Sequence, residues 1–499
     1  MAKIKIISNP YDKTIEYLSY KPISGNYEPI SQDSINSKLR ENDPEKIFFP
    51  FMVKDIVDTI VHEYDVGKEI VEIEFEGTSD EYEEIENICK DETIKDRVTL
   101  TQSKHMLENA RDILEHTKEA FDRVNPIIKS IITDNDEVLK DLEKLSDALE
   151  DIIPICIFGN YSAGKSTFIN ALIGYELLPS GGDSVTAKIF EIRRSAHQDR
   201  AHVSFEYLNE EYELVYDNKG CRVILGNKDA DIIKEILSTV NDIDGEAIFW
   251  MVNRTVNILN QFEKRDKSSM VIGNIVKISA PFCENGKLGQ SRNEFVIFDT
   301  PGSNSQTNID HEKVLTESLD GFSNGIPVWM TLANGLDSTD NAQLCDKLYK
   351  IAALDKRFTM IIVNQADSAQ LPKEKLDEED IQTIMEYDSI VKMYSSGIYF
   401  ASAIMGLGAK NPDGIRSDYL FEIFEEKERK FSDPEARSYK RLYNYNIMPE
   451  QMKNRAVKAS EEFDNLVYAN SGVYCIELAM DNSLADMRHT TNAIWFICS

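Results

Sequence analysis

The stretch IPICIFGNYSAGKSTFINALI, residues 153–173, decides the fold of this chain. It begins with the apolar run 153–158, and such uninterrupted runs are typical of buried parallel β-strands. A loop with the pattern Gly-x4-Gly-Lys-Ser follows at residues 159–166, and residues 167–173 have the composition of a helix. A strand, this loop and a helix in this order predict a phosphate site, because backbone N–H groups and a helix N-terminus converge there.

The residues of this loop have separate expected roles. Gly159 and Gly164 permit the tight turn of the backbone around phosphate oxygens. Lys165 would reach the β- and γ-phosphates, and Ser166 would bind Mg²⁺ through its hydroxyl. The predicted nucleotide contacts in this segment are Gly159, Asn160, Tyr161, Ser162, Ala163, Gly164, Lys165, Ser166 and Thr167.

A second apolar strand, FVIFD at residues 295–299, ends in the turn DTPG at residues 299–302. Asp299 would hold the Mg²⁺ ion, directly or through water, and the backbone N–H of Gly302 would contact the γ-phosphate. Such a turn is common by itself. Its position after a Gly-Lys-Ser loop makes it a candidate metal and phosphate site.

The third element, TMIIVNQAD at residues 359–367, predicts which base is bound. The carboxylate of Asp367 would accept hydrogen bonds from guanine N1–H and N2–H, whereas adenine has an acceptor at N1 and no amino group at C2. Adenine would therefore leave a buried carboxylate without a partner, which is costly. A fourth element, IYFASA at residues 398–403, suits a backbone N–H contact to guanine O6. The predicted base-binding residues are Asn364, Gln365, Asp367, Ser402 and Ala403.

These four elements in this order resemble the motifs of the GTPase superfamily, and the finer resemblance is to the dynamin family, specifically to bacterial dynamin-like proteins. The resemblance covers about residues 104–480 and is specific within 153–405, so that residues 1–100 lie outside it. The features that carry it are SAGKS at 162–166, LLPSG at 177–181 leading into Val185 and Thr186, and Asp310 with His311 after the DTPG turn.

The resemblance implies the rest of the catalytic machinery. Thr186 would be the switch I threonine that binds Mg²⁺ and orients the attacking water through its main chain, with Ser184 and Ser180 as alternatives. Ser303 stands after Gly302, at the position where small signalling GTPases place a water-orienting glutamine. Dynamins also lack that glutamine, and their pattern implies that Ser162 helps to bind K⁺ or Na⁺ and that dimerisation across the nucleotide faces orders the site. The expected catalytic residues are Lys165, Ser162, Thr186 and Gly302, and the expected metal ligands are Ser166, Thr186 and Asp299.

Two residues depart from the pattern of eukaryotic dynamins. Tyr161 stands where they carry a glutamine, and Gln365 stands where a lysine usually follows the asparagine. The first departure affects the positioning of water, and the second removes an aliphatic stem that normally packs over the base. We therefore expect slow basal hydrolysis that dimerisation accelerates, together with modest affinity for GTP.

Composition and charge narrow the classes of partner. The chain of 499 residues has a formal net charge of −32 and no dense cluster of Lys and Arg, so its average surface repels nucleic acid and anionic bilayers. No apolar run reaches the length of a transmembrane helix, and the N-terminus has no secretory signal. Seven scattered cysteines favour reduced thiols. We expect a cytoplasmic protein that binds no nucleic acid, and peripheral association with a membrane stays open.

We expect an α/β chain in four parts. They are a small α/β domain of unknown role (1–100), a helical neck segment (101–152), a dynamin-like P-loop GTPase domain with a mixed sheet flanked by helices (153–408, with an insert at about 197–290), and a helical segment that returns to the neck (409–499). The neck helices act either as a lever or as ordinary core-facing helices. The insert is either a partner-binding lobe or an elaboration that caps the sheet.

Local patterns refine the outer parts of the chain. In the first domain they predict strands at 3–8 and 69–76 and helices at 51–64 and 79–90. Two apolar stripes within 107–152 predict two helices that pack against each other. The apolar tail 493–498 is too short to span a bilayer, and docking into the helical bundle is favoured over interfacial insertion or a truncated end.

Two functions from different classes follow. The first is a GTPase that hydrolyses GTP to GDP and phosphate with Mg²⁺, dimerises through its GTPase face, and remodels a membrane or a partner. The second is a nucleotide-gated interaction module, in which GTP loading switches the binding of a protein partner by residues 1–100 with little turnover. Phosphate release, compared with that of Lys165→Ala, distinguishes them.

Overall fold

Among the residues that it describes, the computed structural model contains two separate β-sheets, one near the N-terminus and one in the centre of the chain. The structure describes residues 2–30, 48–64, 70–131, 152–160, 162–179, 188–242, 247–265, 272–300 and 325–488, together with single positions between some of these ranges. Each sheet has its own hydrophobic core, and the core around the central sheet is the larger.

The N-terminal sheet has the strand order β3-β2-β1-β4-β5. Its strands are β1 (Lys3–Asn9), β2 (Thr14–Lys21), β3 (Asn26–Pro29), β4 (Val71–Glu76) and β5 (Val98–Gln102). Alternate side chains of β1 and β4 are buried in one core with the apolar faces of α1 (Phe49–Tyr64) and α2 (Ser79–Cys89). The strands and helices predicted for this part are thus confirmed.

The sequence patterns missed the other strands of this sheet. β2 and β3 carry few buried side chains, so they lack the clear alternation of apolar and polar residues that marks a half-buried strand. β5 is short and has one buried residue, Val98. These strands form because β1 and β4 offer hydrogen-bonding edges, to which β2 pairs antiparallel and β5 parallel.

The neck region contains the helix α3 (Ala110–Ile131). Leu114 of this helix is buried in a small cluster with Leu149, and Phe121 and Leu145 pack against the cluster. These residues belong to both predicted apolar stripes, so the two stripes do meet.

The central sheet is mixed, and among the described residues its strand order is β10-β9-β8-β11-β7-β12-β6-β13-β14-β15. The strands are β6 (Ile153–Gly159), β7 (Ile189–Arg194), β8 (Ala201–Tyr207), β9 (Glu210–Asp217), β10 (Gly220–Leu225), β11 (Ile272–Ala280), β12 (Phe295–Asp299), β13 (Ile326–Leu332), β14 (Met360–Asn364) and β15 (Gly397–Phe400). β12, β6, β13, β14 and β15 run parallel to one another. Every residue of β6, β12 and β14 is buried, as expected for strands covered on both faces.

The sheet is accompanied by helices that follow its strands along the chain. They are α4 (Lys165–Ile173), α5 (Asp231–Val240), α6 (Ile248–Arg265), α7 (Thr339–Leu348), α8 (Glu378–Met385), α9 (Asp388–Met393), α10 (Ala403–Lys410), α11 (Asp418–Ser432), α12 (Glu450–Glu461), α13 (Leu466–Asn470) and α14 (Val473–Arg488). Within the described parts of the chain, every helix is too short or too polar to cross a bilayer.

The predicted insert extends the central sheet. β8 pairs with β11, β9 with β8, and β10 with β9, and α6 contacts these four strands. A buried hydrogen bond of 2.8 Å from Tyr216 Oη to Thr255 Oγ1 joins β9 to α6. Since these strands and helices share the core of the central sheet, the insert is an elaboration of that sheet.

The described C-terminal helices pack against the central domain. α11 and α13 contact α10, and α14 contacts both α10 and α4. Lys410 Nζ, at the end of α10, donates to the carbonyl oxygens of Ala171 and Leu172 at 2.5 and 3.1 Å and is paired with Glu477 of α14, both side chains being fully buried. The lysine thereby satisfies carbonyl groups that the end of α4 leaves without helical partners. Whether the last segment returns to the neck stays a prediction, because the tail 493–498 lies outside the described residues.

The N-terminal domain contacts the central domain beside the beginning of β14. Arg357 is buried, forms an ion pair with Asp355 at 2.8 Å, and donates from Nη1 to the carbonyl oxygen of Pro10 at 2.9 Å. The rings of Phe48 and Phe358 pack with their centroids 4.8 Å apart. These contacts lie at the opposite end of β14 from Asn364, which belongs to the candidate site.

Candidate functional site

The predicted site residues that the structure describes lie at the carboxyl ends of neighbouring parallel strands. The phosphate loop follows β6, Asp299 ends β12, Asn364 ends β14, and Ser402 follows β15. In open α/β sheets, ligands bind at this edge. The sheet therefore brings together elements that are far apart in the sequence.

Two glycines of the loop are required by close approaches. A Cβ atom at Gly159 would lie 2.6 Å from the carbonyl oxygen of Met330, and one at Gly164 would lie 2.4 Å from Nδ2 of Asn364. Gly164 also has a φ of +81°, which disfavours any other residue. Ser162 adopts a φ of +66° although it is not a glycine, and such strain is common at functional sites.

The lysine of the loop is held near the position that phosphates would occupy. Lys165 Nζ donates to the carbonyl oxygens of Gly159 at 2.8 Å and Asn160 at 3.4 Å. Burial lowers the pKa of Lys165, although the charge of Asp299 raises it in part. A phosphate in this loop would offer the ammonium a charged acceptor in place of neutral carbonyls.

The environment of Asp299 fits a bound cation. Its side chain is buried, with 1% of the residue exposed, and neither carboxylate oxygen has a hydrogen-bond partner among the residues that the structure describes. Burial raises its pKa to about 6, against the opposing charge of Lys165 and the nearby hydroxyl of Ser166. A buried carboxylate without donors is unfavourable, whereas carboxylate and hydroxyl oxygens are ligands that Mg²⁺ prefers.

The asparagine after β14 connects three of the predicted motifs. Asn364 Nδ2 donates to the carbonyl oxygen of Ala163 at 3.0 Å, and its Oδ1 accepts from the backbone N–H of Ala403 at 3.0 Å. The side chain thus fixes the phosphate loop and the turn after β15 to the base-recognition segment.

The carboxylate expected to read the base is Asp367, which lies in the short 3-10 turn Ala366–Ser368. Its Oδ2 accepts from Lys427 Nζ at 2.6 Å and from Ser368 Oγ at 3.2 Å. Burial by itself would raise its pKa, but Lys427 outweighs that effect and holds the pKa of Asp367 below its ordinary value. Gln365, just before the turn, has a φ of +54°. The ion pair with Lys427 and the hydrogen bond from Ser368 thus favour the ionised carboxylate and orient it.

The predicted backbone contact to guanine O6 conflicts with the hydrogen bonds of this structure. The N–H of Ser402 donates to the carbonyl oxygen of Ser471 at 2.9 Å, and that of Ala403 donates to Asn364 Oδ1 at 3.0 Å. Both N–H groups are thus used within the domain, and the bond to Ser471 links the turn after β15 to the segment between α13 and α14. A contact to O6 from either N–H would require one of these bonds to open.

Sequence reasoning missed two residues of the site. Asn341, at the start of α7, accepts from Asn160 Nδ2 at 2.6 Å and donates from its own Nδ2 to Thr331 Oγ1 at 2.9 Å, and so supports the phosphate loop. Lys427 of α11 contacts Asp367. Neither belongs to a local motif, since both reach the site only through tertiary packing.

Some predicted residues cannot be placed. Tyr161, Thr186 and Gly302, together with the alternatives Ser184 and Ser180, lie outside the residues that the structure describes. The structure thus describes most of the candidate phosphate loop and the candidate base-binding residues, and all the roles assigned to them, like those of the switch segments, stay predictions.

Comparison with protein families supports the arrangement of these elements. Residues 155–366, which run from within β6 to the base-recognition turn, match the model of the dynamin family. No curated protein matches the chain in sequence.

Solved structures give a distant similarity. Two solved chains of an oligomerised bacterial dynamin pair, which is described as providing a mechanism for the long-range sensing and tethering of membranes, match with 15% identity. The matches cover 87% of this chain and 52% and 62% of those chains, with TM-scores of 0.33 and 0.32. This chain therefore spans about half to three-fifths of the length of those proteins.

Proposed function

We propose that this chain, whose residues 155–366 match the model of the dynamin family, binds GTP with Mg²⁺ and hydrolyses GTP to GDP and phosphate. The observation that carries this proposal is the buried Asp299, which lacks hydrogen-bond donors among the described residues and lies near Lys165 and Ser166. A bound cation would compensate this carboxylate, and its position beside the phosphate loop fits the cation that accompanies a nucleoside triphosphate.

The described residues divide the work of binding. Lys165 would leave its loop carbonyls for the β- and γ-phosphates, and the N–H groups of the loop would hold the remaining oxygens. Ser166 and Asp299 would hold Mg²⁺, which supplies charge neutralisation for the phosphates when it is bound. Asn364 keeps the loop in register with the base site.

Base selection depends on Asp367. An ionised carboxylate has only acceptors, and guanine presents two donors, N1–H and N2–H, in the matching geometry. Adenine lacks both donors at these positions, so its binding would leave the carboxylate without base contacts. We therefore propose that the chain prefers GTP to ATP.

Water activation and dimerisation rest on the family resemblance. Thr186 and the backbone of Gly302 would position the attacking water, and Ser162 would contribute to a site for K⁺ or Na⁺. Ser162 lies in the described part of the loop, and its backbone adopts the left-handed conformation. Dimerisation across the nucleotide faces would complete the site, and turnover would drive the remodelling of a membrane or a protein partner.

A second candidate is a nucleotide-gated interaction module with little turnover. The contact of Arg357 with Pro10 favours it, because a domain fixed to the central sheet can present a partner surface that responds to the nucleotide state. In this case residues 1–100 would bind the partner.

Phosphate release measured over a range of protein concentrations, with GTP and ATP in parallel, tests the proposal. We expect GTP turnover per site to rise with protein concentration and with K⁺ or Na⁺, and to be lost in Lys165→Ala. Tight GTP binding without turnover would favour the interaction module, and equal use of ATP would contradict the assignment of Asp367. Sedimentation with liposomes, with and without a non-hydrolysable GTP analogue, tests whether the protein binds to a membrane.

A further inference from the structure

A lysine from the C-terminal helices forms an ion pair with the carboxylate that would recognise guanine. Lys427 lies on α11, 60 positions after Asp367, and its Nζ is 2.6 Å from Asp367 Oδ2 and 3.0 Å from Ser368 Oγ. The side chain of Asp367 is 1% exposed and that of Lys427 is 22% exposed. The carboxylate is thus almost fully shielded from solvent, and the lysine that pairs with it is partly solvated.

The acceptor sites of Asp367 limit what else can bind there. Each carboxylate oxygen offers two lone pairs, and Oδ2 already accepts from both Lys427 and Ser368. The paired donors of guanine, N1–H and N2–H, need one site on each oxygen. Guanine therefore requires one of the two existing donors to leave Oδ2.

The donor that leaves is Lys427. Ser368 directly follows Asp367 in the same 3-10 turn, so the backbone holds its hydroxyl near the carboxylate. Lys427 belongs to a different helix and has a flexible stem that reaches solvent. Its ammonium is rehydrated on release, so the cost of leaving is smaller than for a fully buried charge.

We propose that Lys427 competes with guanine for Asp367, so that binding of a guanine nucleotide displaces the Lys427 ammonium from the base site. This inference rests on the proposed function, because it requires that Asp367 binds guanine. The same lysine maintains the carboxylate in the nucleotide-free protein, where a buried charge without a partner would be unfavourable. Adenine nucleotides make no demand on Asp367, so they leave this contact in place.

Removal of the competing charge tests the proposal. In Lys427→Met, which keeps most of the stem, we expect the affinity for GDP to rise about tenfold, because one charge-assisted hydrogen bond no longer has to break. The affinity for ADP should stay within about twofold of that of the parent protein, since no such bond is broken. Isothermal titration calorimetry with GDP and with ADP measures both. Unchanged or weaker GDP binding by this variant would overturn the proposal.

The matched control is Arg429→Met on the same helix. Arg429 is exposed and pairs with Asp433, so its replacement changes the net charge of α11 equally without touching the base site. We expect GDP affinity to be unaltered in this control. A rise equal to that of Lys427→Met would show that general charge acts, and would also overturn the proposal.

A second measurement needs no variant. The rate at which an amine-reactive reagent labels Lys427, followed by mass spectrometry, should rise when GDP binds to the parent protein, and should be unchanged by ADP. Slower or equal labelling with GDP would refute release of Lys427. If the parent protein bound neither GDP nor GTP, the proposed function itself would fail, and this outcome is separate from GDP binding that ignores Lys427.

Discussion

Replacement of Asp299 by asparagine should stabilise the nucleotide-free protein while it removes nucleotide binding. The carboxylate is fully buried, and its pKa rises from the ordinary 3.8 to about 6. Each pKa unit corresponds to 1.36 kcal/mol, so the ionised group lowers the free energy of unfolding by about 3 kcal/mol at pH 7.5. An asparagine of the same shape carries no charge and avoids most of this penalty.

The sign and the pH window follow from the raised pKa. Because the folded protein binds the proton more tightly than the unfolded chain, the full stability is present below pH 3.8 and is lost as the pH rises through about 6. At pH 5 the folded protein is mostly protonated at Asp299, and the penalty falls to about half of its value at pH 7.5. The advantage of Asp299→Asn should therefore be larger at pH 7.5 than at pH 5.

The assay is thermal or urea unfolding of both proteins in EDTA at the two pH values, followed by nucleotide titration with Mg²⁺. We expect the variant to unfold later in EDTA, and to gain no further stability from GDP and Mg²⁺, whereas the parent protein does gain it. Equal stabilities at both pH values would refute the argument that Asp299 is an uncompensated charge. Mg²⁺-dependent GDP binding by the variant would refute its role as a metal ligand.

Two further predictions concern the base site and the C-terminal helices. Asp367→Asn should shift the preference from GTP to xanthosine triphosphate by roughly 100-fold or more in the ratio of affinities, because the amide donates to a C2 carbonyl and no longer accepts from an amino group. Competition titrations with both nucleotides measure this ratio. An unchanged preference for GTP would contradict the role of Asp367. Lys410→Met should lower the free energy of unfolding by about 3–5 kcal/mol, because it leaves Glu477 charged and buried. Urea unfolding measures the loss. The control is Lys392→Met, which removes an exposed lysine that pairs with Asp346 and Asp388 and is expected to have a much smaller effect.

The phosphate loop could be predicted from the sequence because all its determinants are local. Residues 153–173 contain the buried strand, the glycines that permit the turn, and the helix that begins at Lys165. The strand that ends at Asp299 and the one that ends at Asn364 are similarly continuous apolar runs. The rule that ligands bind at the carboxyl ends of parallel strands then predicts that these elements lie together at one edge of the sheet.

The rest of the site depends on contacts between distant parts of the chain. Lys427 lies in a charged helical stretch where several lysines and glutamates look alike, and only the packing of α11 selects the one that reaches Asp367. Asn341 similarly has the ordinary look of a residue in a helix N-terminus, and only its hydrogen bond to Asn160 shows its role. The use of the Ser402 N–H by Ser471 depends on the C-terminal helices, whose docking site no local pattern encodes.

The ion pairs of Lys410 and Lys427 differ in their exposure to solvent, and this difference predicts which of the two contacts opens when a guanine nucleotide binds. Lys410 and Glu477 are both fully excluded from solvent, so separation of this pair would leave an uncompensated charge buried between α4 and α14. Lys427 is partly solvated, and guanine supplies replacement donors to Asp367 when the lysine leaves. The contact of α14 with α4 is therefore expected to stay closed, and the contact of Lys427 with Asp367 is the one that can open. The response to guanine nucleotide is thus expected to begin at Lys427, while residues 473–488 stay attached to the end of α4.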